Sequence, residues 1–235
     1  LEAARSARRS GSPVDRRLPA AEQVYRALRE AIVTCALEPN EAISESRLCG
    51  MFHVSRSPVR IAVTRLAEDG LIDIFPQRGT FVAPIKLRRM REAQLARTAL
   101  EVALVAEAAR RWQDRHTAEL RANLARQERH AQSGDSWRFY LDNEAFHQVI
   151  ARAAELDGFW TMFHGLKMLW DRIGHLANRM PAHMADIIEQ HRRIARALER
   201  RDVRAARAAM RLHLRSLDHA IARLRPLHSG YFVEG

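Results

Sequence analysis

A chain of 235 residues that is 47% hydrophobic can bury a sizeable core, and no apolar run approaches the ~18 residues of a membrane span, so a soluble protein of one or two domains is expected. The formal charge of +11 suggests a nucleic-acid partner, yet residues 1–84 hold 12 Lys+Arg against 10 Asp+Glu and the remainder 27 against 18, so net charge alone locates no binding surface. Two cysteines, Cys35 and Cys49, lack a partner at metal-ligand spacing; they argue against a disulfide framework and for a reducing, cytoplasmic compartment.

Residues 1–19 begin with "LEAARSARRSGSPVDRR", mixed in charge and without apolar periodicity, and read as a flexible basic tail with no secretory signal. "AEQVYRALREAIVTC" then places Val24, Leu28, Ala31 and Ile32 at helical spacing, and "LEPNEAI" follows as a turn. Ser44 can cap a short helix over Glu45–Phe52. Ser55 can cap a third helix, with Pro58 in its first turn, where the missing N–H is harmless, and Gly70 as its stop. "LIDIF", "PQRG" and "TFVA" read as a hairpin. Three helices and a β-hairpin wing, over residues 20–84, make a winged helix-turn-helix.

The third helix carries the functional signal. Between Ser46 and Ala67 stand Arg47, Arg56, Arg60 and Arg65 with no acid. Arg56 and Arg60, four apart, share one face, while Val59, Ala62, Val63 and Leu66 take the opposite side. An exposed helix N-terminus with the Ser55 and Ser57 hydroxyls and two Arg forks suits phosphate oxygens and guanine edges.

Past Pro84 the composition shifts to Ala, Leu and Arg, and helices are predicted at 87–112, 117–132, 136–154, 158–179, 182–200 and 203–224. The first can break between "LRRMREA" and "RTALEVALVAEAA", giving an all-α bundle of six or seven helices over residues 85–225, followed by a C-terminal tail, 226–235. The overall class is mainly α.

His191 and His213 flank the break at Arg201–Asp202. The chain runs about ten residues to the turn and about eleven back, so antiparallel neighbours bring both imidazoles to one height. His147 lies on an equally apolar face, between Phe146 and Ile150. Three converging histidines suit a metal. At about 100° per residue, Asn143 falls about 40° from His147, Glu144 about 60° and Asp142 about 140°, so Asp142 points elsewhere. Two roles are open to Arg97: half of an anion clamp with Arg172, or an ion pair with Glu101 one turn on.

"SESRLCGMFHVSRSPVRIAVTRLAEDGLIDIFPQRGTFVAP" closely resembles the DNA-binding domain of GntR-type bacterial transcription regulators, whose pattern runs E-x-x-L-A, G-V-S-R-x-P-V-R, L-x-x-x-G-L and a wing with R-G. The resemblance implies that Arg47, Arg56, Ser57 and Arg60 contact double-stranded, palindromic operator DNA, with Gly79 at the wing tip, in a homodimer. His53 stands where the family usually has Gly, and Ile61 where it usually has Glu. Residues 86–224 resemble the FCD effector domain of the FadR-type subfamily: Arg97 to Glu101, Asn143 to His147, "HRRI" at His191, and His213 match its motifs. That resemblance implies a regulator rather than an enzyme, with a divalent ion (Zn, Ni or Mn) held by Asn143, His147, His191 and His213, Asn143 standing in the Asp position. A neutral ligand set leaves the ion its full charge, so a small carboxylate effector is expected, bound with help from Arg97 and Arg172, relieving repression. A metal sensor, or a hydrolase using the same open site, would need the same residues; no HExxH is present, and only Glu144 or Glu101 stands near as a base.

Overall fold

The computed structural model describes residues 18–159 and 164–234. The tail expected before Leu18 lies outside the described residues, as do residues 160–163 of the helix expected over 158–179. The chain forms two compact units: one runs to Arg89 and takes in the chain from His228 on, and the other is Met90–Leu227.

In the first unit, α1 (Ala20–Val33) buries Val24, Leu28, Ala31 and Ile32, the positions its periodicity marks. α2 (Glu45–Phe52) starts at Ser44, whose hydroxyl accepts the Arg47 N–H at 3.4 Å. It ends at His53, held left-handed at φ 54°, a conformation in which His is enriched among non-glycine residues. α3 (Arg56–Glu68) buries Val59, Ala62, Val63 and Leu66. A Schellman turn closes it: with Gly70 at φ 73°, the Gly70 and Leu71 N–H groups donate to Ala67 and Leu66 carbonyls at 3.0 and 2.9 Å. Two side-chain pairs tie α3 to α1. The Tyr25 hydroxyl donates to Asp69 at 2.6 Å, and Arg65 pairs with Glu22 at 2.7 Å while its guanidinium lies 4.0 Å above the Tyr25 ring. Arg65 is thereby engaged within the fold and does not join the outward arginines.

The wing is the expected antiparallel hairpin, β2 (Ile72–Phe75) and β3 (Gly79–Val82), with Phe75 opposite Gly79. The sheet has a third strand, β1 (Ala42–Ile43), on the other edge of β3. Two residues are too few for an alternating pattern, which is why the turn reading missed it. A second sheet pairs β4 (Ile85–Lys86) in parallel with β5 (Phe232–Val233), extended by the Arg88 N–H donating to the Glu234 carbonyl at 3.1 Å. The segment expected to be a C-terminal tail therefore ends as a strand, with Phe232 buried.

The second unit continues from α4 (Leu87–Arg110) through α5 (Asp114–Ser133), α6 (Ser136–Ala153), α7 (His164–Asn178), α8 (Pro181–Glu199), α9 (Val203–Leu214) and α10 (Ser216–Leu224). The break allowed for in α4 does not occur. The last helix divides instead, at Arg215, beside the Ser216 hydroxyl that donates to the His213 carbonyl at 2.6 Å. Asp135 and Asp202 cap α6 and α9 by accepting the Arg138 and Ala205 N–H groups at 3.0 and 2.9 Å. Between α8 and α9, Arg201 turns left-handed at φ 53° and the Asp202 N–H reaches the Ala197 carbonyl at 3.0 Å, another Schellman closure. The core joins Val105, Trp112 and Leu120 to Phe146, Ile150, Ile194, Leu198, Met210 and Leu214. It frames the three histidines.

Candidate metal centre and nucleic-acid interface

Packing of α6, α8 and α9 brings His147, His191 and His213 together, all buried, with one ligand-capable atom from each within 4.8 Å of the others. The His191 and His213 ring centroids are 4.7 Å apart, so the level expected from the α8–α9 turn is the one observed. The Phe146 ring stacks on His191 at 3.9 Å, 8° from parallel, and fixes the plane of the imidazole.

Each Nδ1 is engaged by a different acceptor. His147 Nδ1 lies 2.6 Å from Glu101 Oε2, His191 Nδ1 2.9 Å from Gln127 Oε1, and His213 Nδ1 2.9 Å from Gln190 Oε1. For His191 the direction of the bond is forced. The Asp142 backbone carbonyl can only accept, so Asn123 Nδ2 donates to it at 2.9 Å; Asn123 Oδ1 then accepts from Gln127 Nε2 at 2.6 Å. Gln127 Oε1 is left to accept from His191 Nδ1–H, and the lone pair falls on Nε2. That Nε2 is buried and has no hydrogen-bond partner among the described residues. Burial, with His147 and Arg97 adding to it, holds the His191 pKa well below its ordinary value; burial with the neighbouring histidines and Arg97 does the same for His213. Both are neutral at pH 7, the form in which imidazole ligates.

His147 Nε2 and His213 Nε2 face each other at 3.3 Å. Two ligands bound about 2.05 Å from a tetrahedral ion stand about 3.3 Å apart, so this edge has the length a Zn-like centre requires. The donor set fits a divalent cation, with the acceptors behind it fixing tautomer and ring orientation.

Glu101 is the charged member of that outer layer. Burial opposes its ionisation, but His147 and Arg97, with hydrogen bonds from both, outweigh burial and hold the carboxyl well below the usual range. Arg97 Nε is 2.6 Å from Glu101 Oε1, so the ion-pair reading of Arg97 is the observed one. The guanidinium also lies 4.6 Å above the Trp170 ring and lines a cavity of about 50 Å³, together with Asn143, Glu144, His183 and His213. Asn143 thus reaches the same cavity as His213. Asp142 does not: its carboxylate takes Arg126 Nε at 2.7 Å and His130 Nδ1 at 2.8 Å, on the other side of α6, as the rotation of the helix requires. Arg172 is buried on α7 and is not among the described residues that line this cavity.

One charged cluster went unnoticed in the sequence. Lys167 is buried, 2.8 Å from Glu144, 2.6 Å from Asp171 and 2.5 Å from the Tyr140 hydroxyl, and both acids line the cavity. The i,i+4 spacing of Lys167 and Asp171 was the available signal.

At the other unit, Arg47, Ser55, Arg56, Ser57 and Arg60 are all exposed. Ser55 sits at the α3 N-cap position without a side-chain cap bond. Gly79 is exposed at the end of the wing turn with φ 111°, a backbone that L side chains rarely adopt.

Comparison with known proteins gives this arrangement its family. Residues 20–82 match the model for bacterial regulatory proteins of the gntR family, and residues 92–216 match the FCD domain. Over 216 residues, 92% of this chain and 95% of the other, it is 32% identical to the HTH-type transcriptional repressor RspR of Escherichia coli (strain K12). It is 36% identical over 202 residues to an uncharacterized HTH-type transcriptional regulator in an unstable DNA locus of Streptomyces ambofaciens, covering 86% of this chain and 85% of that one. The fold is shared with E. coli McbR/YncC at a TM-score of 0.74 and 22% identity, over 90% of this chain and 99% of that one. The chain belongs to the GntR-type transcription regulators that carry an FCD domain, and it is a DNA-binding regulator. Among the described residues, no helix is long and apolar enough to cross a membrane.

Proposed function

We propose that the chain is a repressor that holds a palindromic operator as a homodimer and releases it when a small carboxylate binds at a divalent metal ion held by His147, His191, His213 and Asn143. The observation that carries this reading is the convergence of three buried imidazoles, one ligand-capable atom of each within 4.8 Å of the others, with each Nδ1 within 2.9 Å of a side-chain oxygen behind it. The His191 Nε2, buried without a hydrogen-bond partner among the described residues, costs desolvation unless a cation takes it. All four donors are neutral, so the ion keeps a charge that attracts an organic acid into the cavity, where Arg97 offers the guanidinium edge not used by Glu101. Arg47, Ser55, Arg56, Ser57 and Arg60, with Gly79 at the wing, supply the DNA contacts. Repression is supported by RspR and by a probable D-xylose utilization operon transcriptional repressor of Paenarthrobacter nicotinovorans, 28% identical over 173 residues.

The test is elemental analysis of the purified full-length protein beside its His147→Ala, His191→Ala and His213→Ala variants, followed by operator binding across a panel of small organic acids. About one equivalent of a divalent metal in the wild type, lost in each variant, and acid-dependent release of DNA are expected. A metal-free protein that still releases DNA with the acid would overturn the metal's role.

A further inference from the structure

α3 carries an exposed apolar side chain that none of the proposed DNA contacts accounts for. Ile61 is 51% exposed. Scattered exposed aliphatics are ordinary on a protein surface, so position decides whether this one has a role. At about 100° per residue, Ser57, Ile61 and Thr64 fall within about 60° of arc, and the centre of that arc is opposite the buried stripe of Val59, Ala62, Val63 and Leu66. All three are exposed. Ile61 stands about 30° from the middle of the outward face, whereas Arg60 stands about 70° from it on one flank and Arg56 beyond that. Arg65 would occupy the other flank, but Glu22 and Tyr25 draw it inward.

The middle of this face therefore has a hydroxyl, a branched aliphatic group and a second hydroxyl, with guanidinium groups along one side. A helix lying in the major groove presents the middle of its outward face to base edges and its flanks to the phosphates. Among base edges, thymine alone offers a hydrocarbon, its 5-methyl group. A cytosine amino group or the guanine O6/N7 pair at the same place would be desolvated by Ile61 without gaining a hydrogen bond.

We propose that Ile61 reads a thymine methyl in each operator half-site, a specificity contact made by apolar packing beside the polar contacts of Arg56 and Arg60. The inference rests on the reading that this face of α3 meets DNA, and the experiment separates the two. Full-length protein selects its operator from a random duplex library, and each thymine of the selected site is then replaced singly by deoxyuridine, which removes the methyl group and nothing else. At one thymine per half-site the wild type should lose roughly fourfold in affinity, the worth of about one buried methyl group. Ile61→Ser should bind the thymine and deoxyuridine duplexes within twofold of each other at that position, with an unchanged melting temperature. Methyl sensitivity that persists in Ile61→Ser, or that is absent at every thymine in the wild type, overturns the proposal. Arg60→Ala supplies the control: lost operator affinity in that variant alongside methyl insensitivity rejects Ile61 while keeping the face, and unchanged affinity rejects the face itself.

Discussion

A histidine becomes a ligand through the group behind it. His191 is oriented by a relay that runs through Gln127 and Asn123 to a backbone carbonyl, and nothing in the relay can reverse without leaving a buried donor facing a donor. Gln127→Leu should keep the core filled yet free the imidazole, lowering metal affinity by about 10- to 100-fold in a competition titration with a chelator. Asp142→Ala should leave the metal content unchanged, since that carboxylate serves Arg126 and His130. Asn143 makes a sharper case. Asn143→Asp adds an anionic donor, so metal should bind more tightly, while an incoming carboxylate meets less positive charge and should bind more weakly. Calorimetry on the metal-loaded variant, with whichever acid releases DNA, checks both signs; a variant that bound metal and acid more tightly would show that geometry at the fourth position outweighs charge. Much of this site was legible in the sequence, because His147, His191 and His213 sit on apolar faces at countable distances from helix breaks. Gln127 and Gln190 were not legible: each meets its histidine across helices, and cross-helix contacts leave no local spacing to read.

At the level of the elements, the punctuation residues carried the most information. Ser44, Asp135 and Asp202 cap where their side chains can accept an N–H, and Gly70 takes the left-handed angle that ends α3. The winged helix was therefore readable nearly residue by residue, whereas β1, β4 and β5, two residues each, follow from pairing rather than from any pattern of their own. The hardest-working turn is the one that sets His191 against His213, and there a non-glycine residue, Arg201, holds φ 53°. That conformation is strained for an L side chain, so Arg201→Gly should stabilise the fold by about 0.5–1 kcal/mol in urea unfolding, without moving either histidine. The opposite result is expected at the C-terminal strand. Phe232→Ala removes a buried ring opposite Ile85 and should destabilise the first unit by about 2–4 kcal/mol, seen as an earlier melting transition; an unchanged transition would mean that β5 adds no stability to β4.

Over the whole molecule, the bundle buries more imidazole than a metal can use, and this shapes its response to acid. His175 and His183 lie on α7 and α8, outside the His147, His191 and His213 cluster, and both have pKa values lowered to about 4. Burial is the larger cause in each; Arg179 adds to it for His175, and Arg223 adds to it for His183 against a smaller opposing effect of Asp186. Trp137, packed edge-on against His175, offers that ring no charge. A histidine whose folded pKa lies below its unfolded value of 6.5 binds its proton more readily in the unfolded chain. Stability is therefore full above pH 6.5, falls as pH drops through that value, and levels off below pH 4. Between pH 7 and pH 5 each of the two should remove about 2 kcal/mol, and with chelator present the depressed pKa values of His191 and His213 act in the same direction. Bound metal would add a further acid-sensitive increment, because protons compete for the same Nε2 lone pairs. Urea midpoints measured at both pH values in chelator should fall steeply for the wild type and less steeply for His183→Asn, which has no proton to gain at that position. A midpoint that is flat or rises on acidification would mean that these rings are solvated in the folded state.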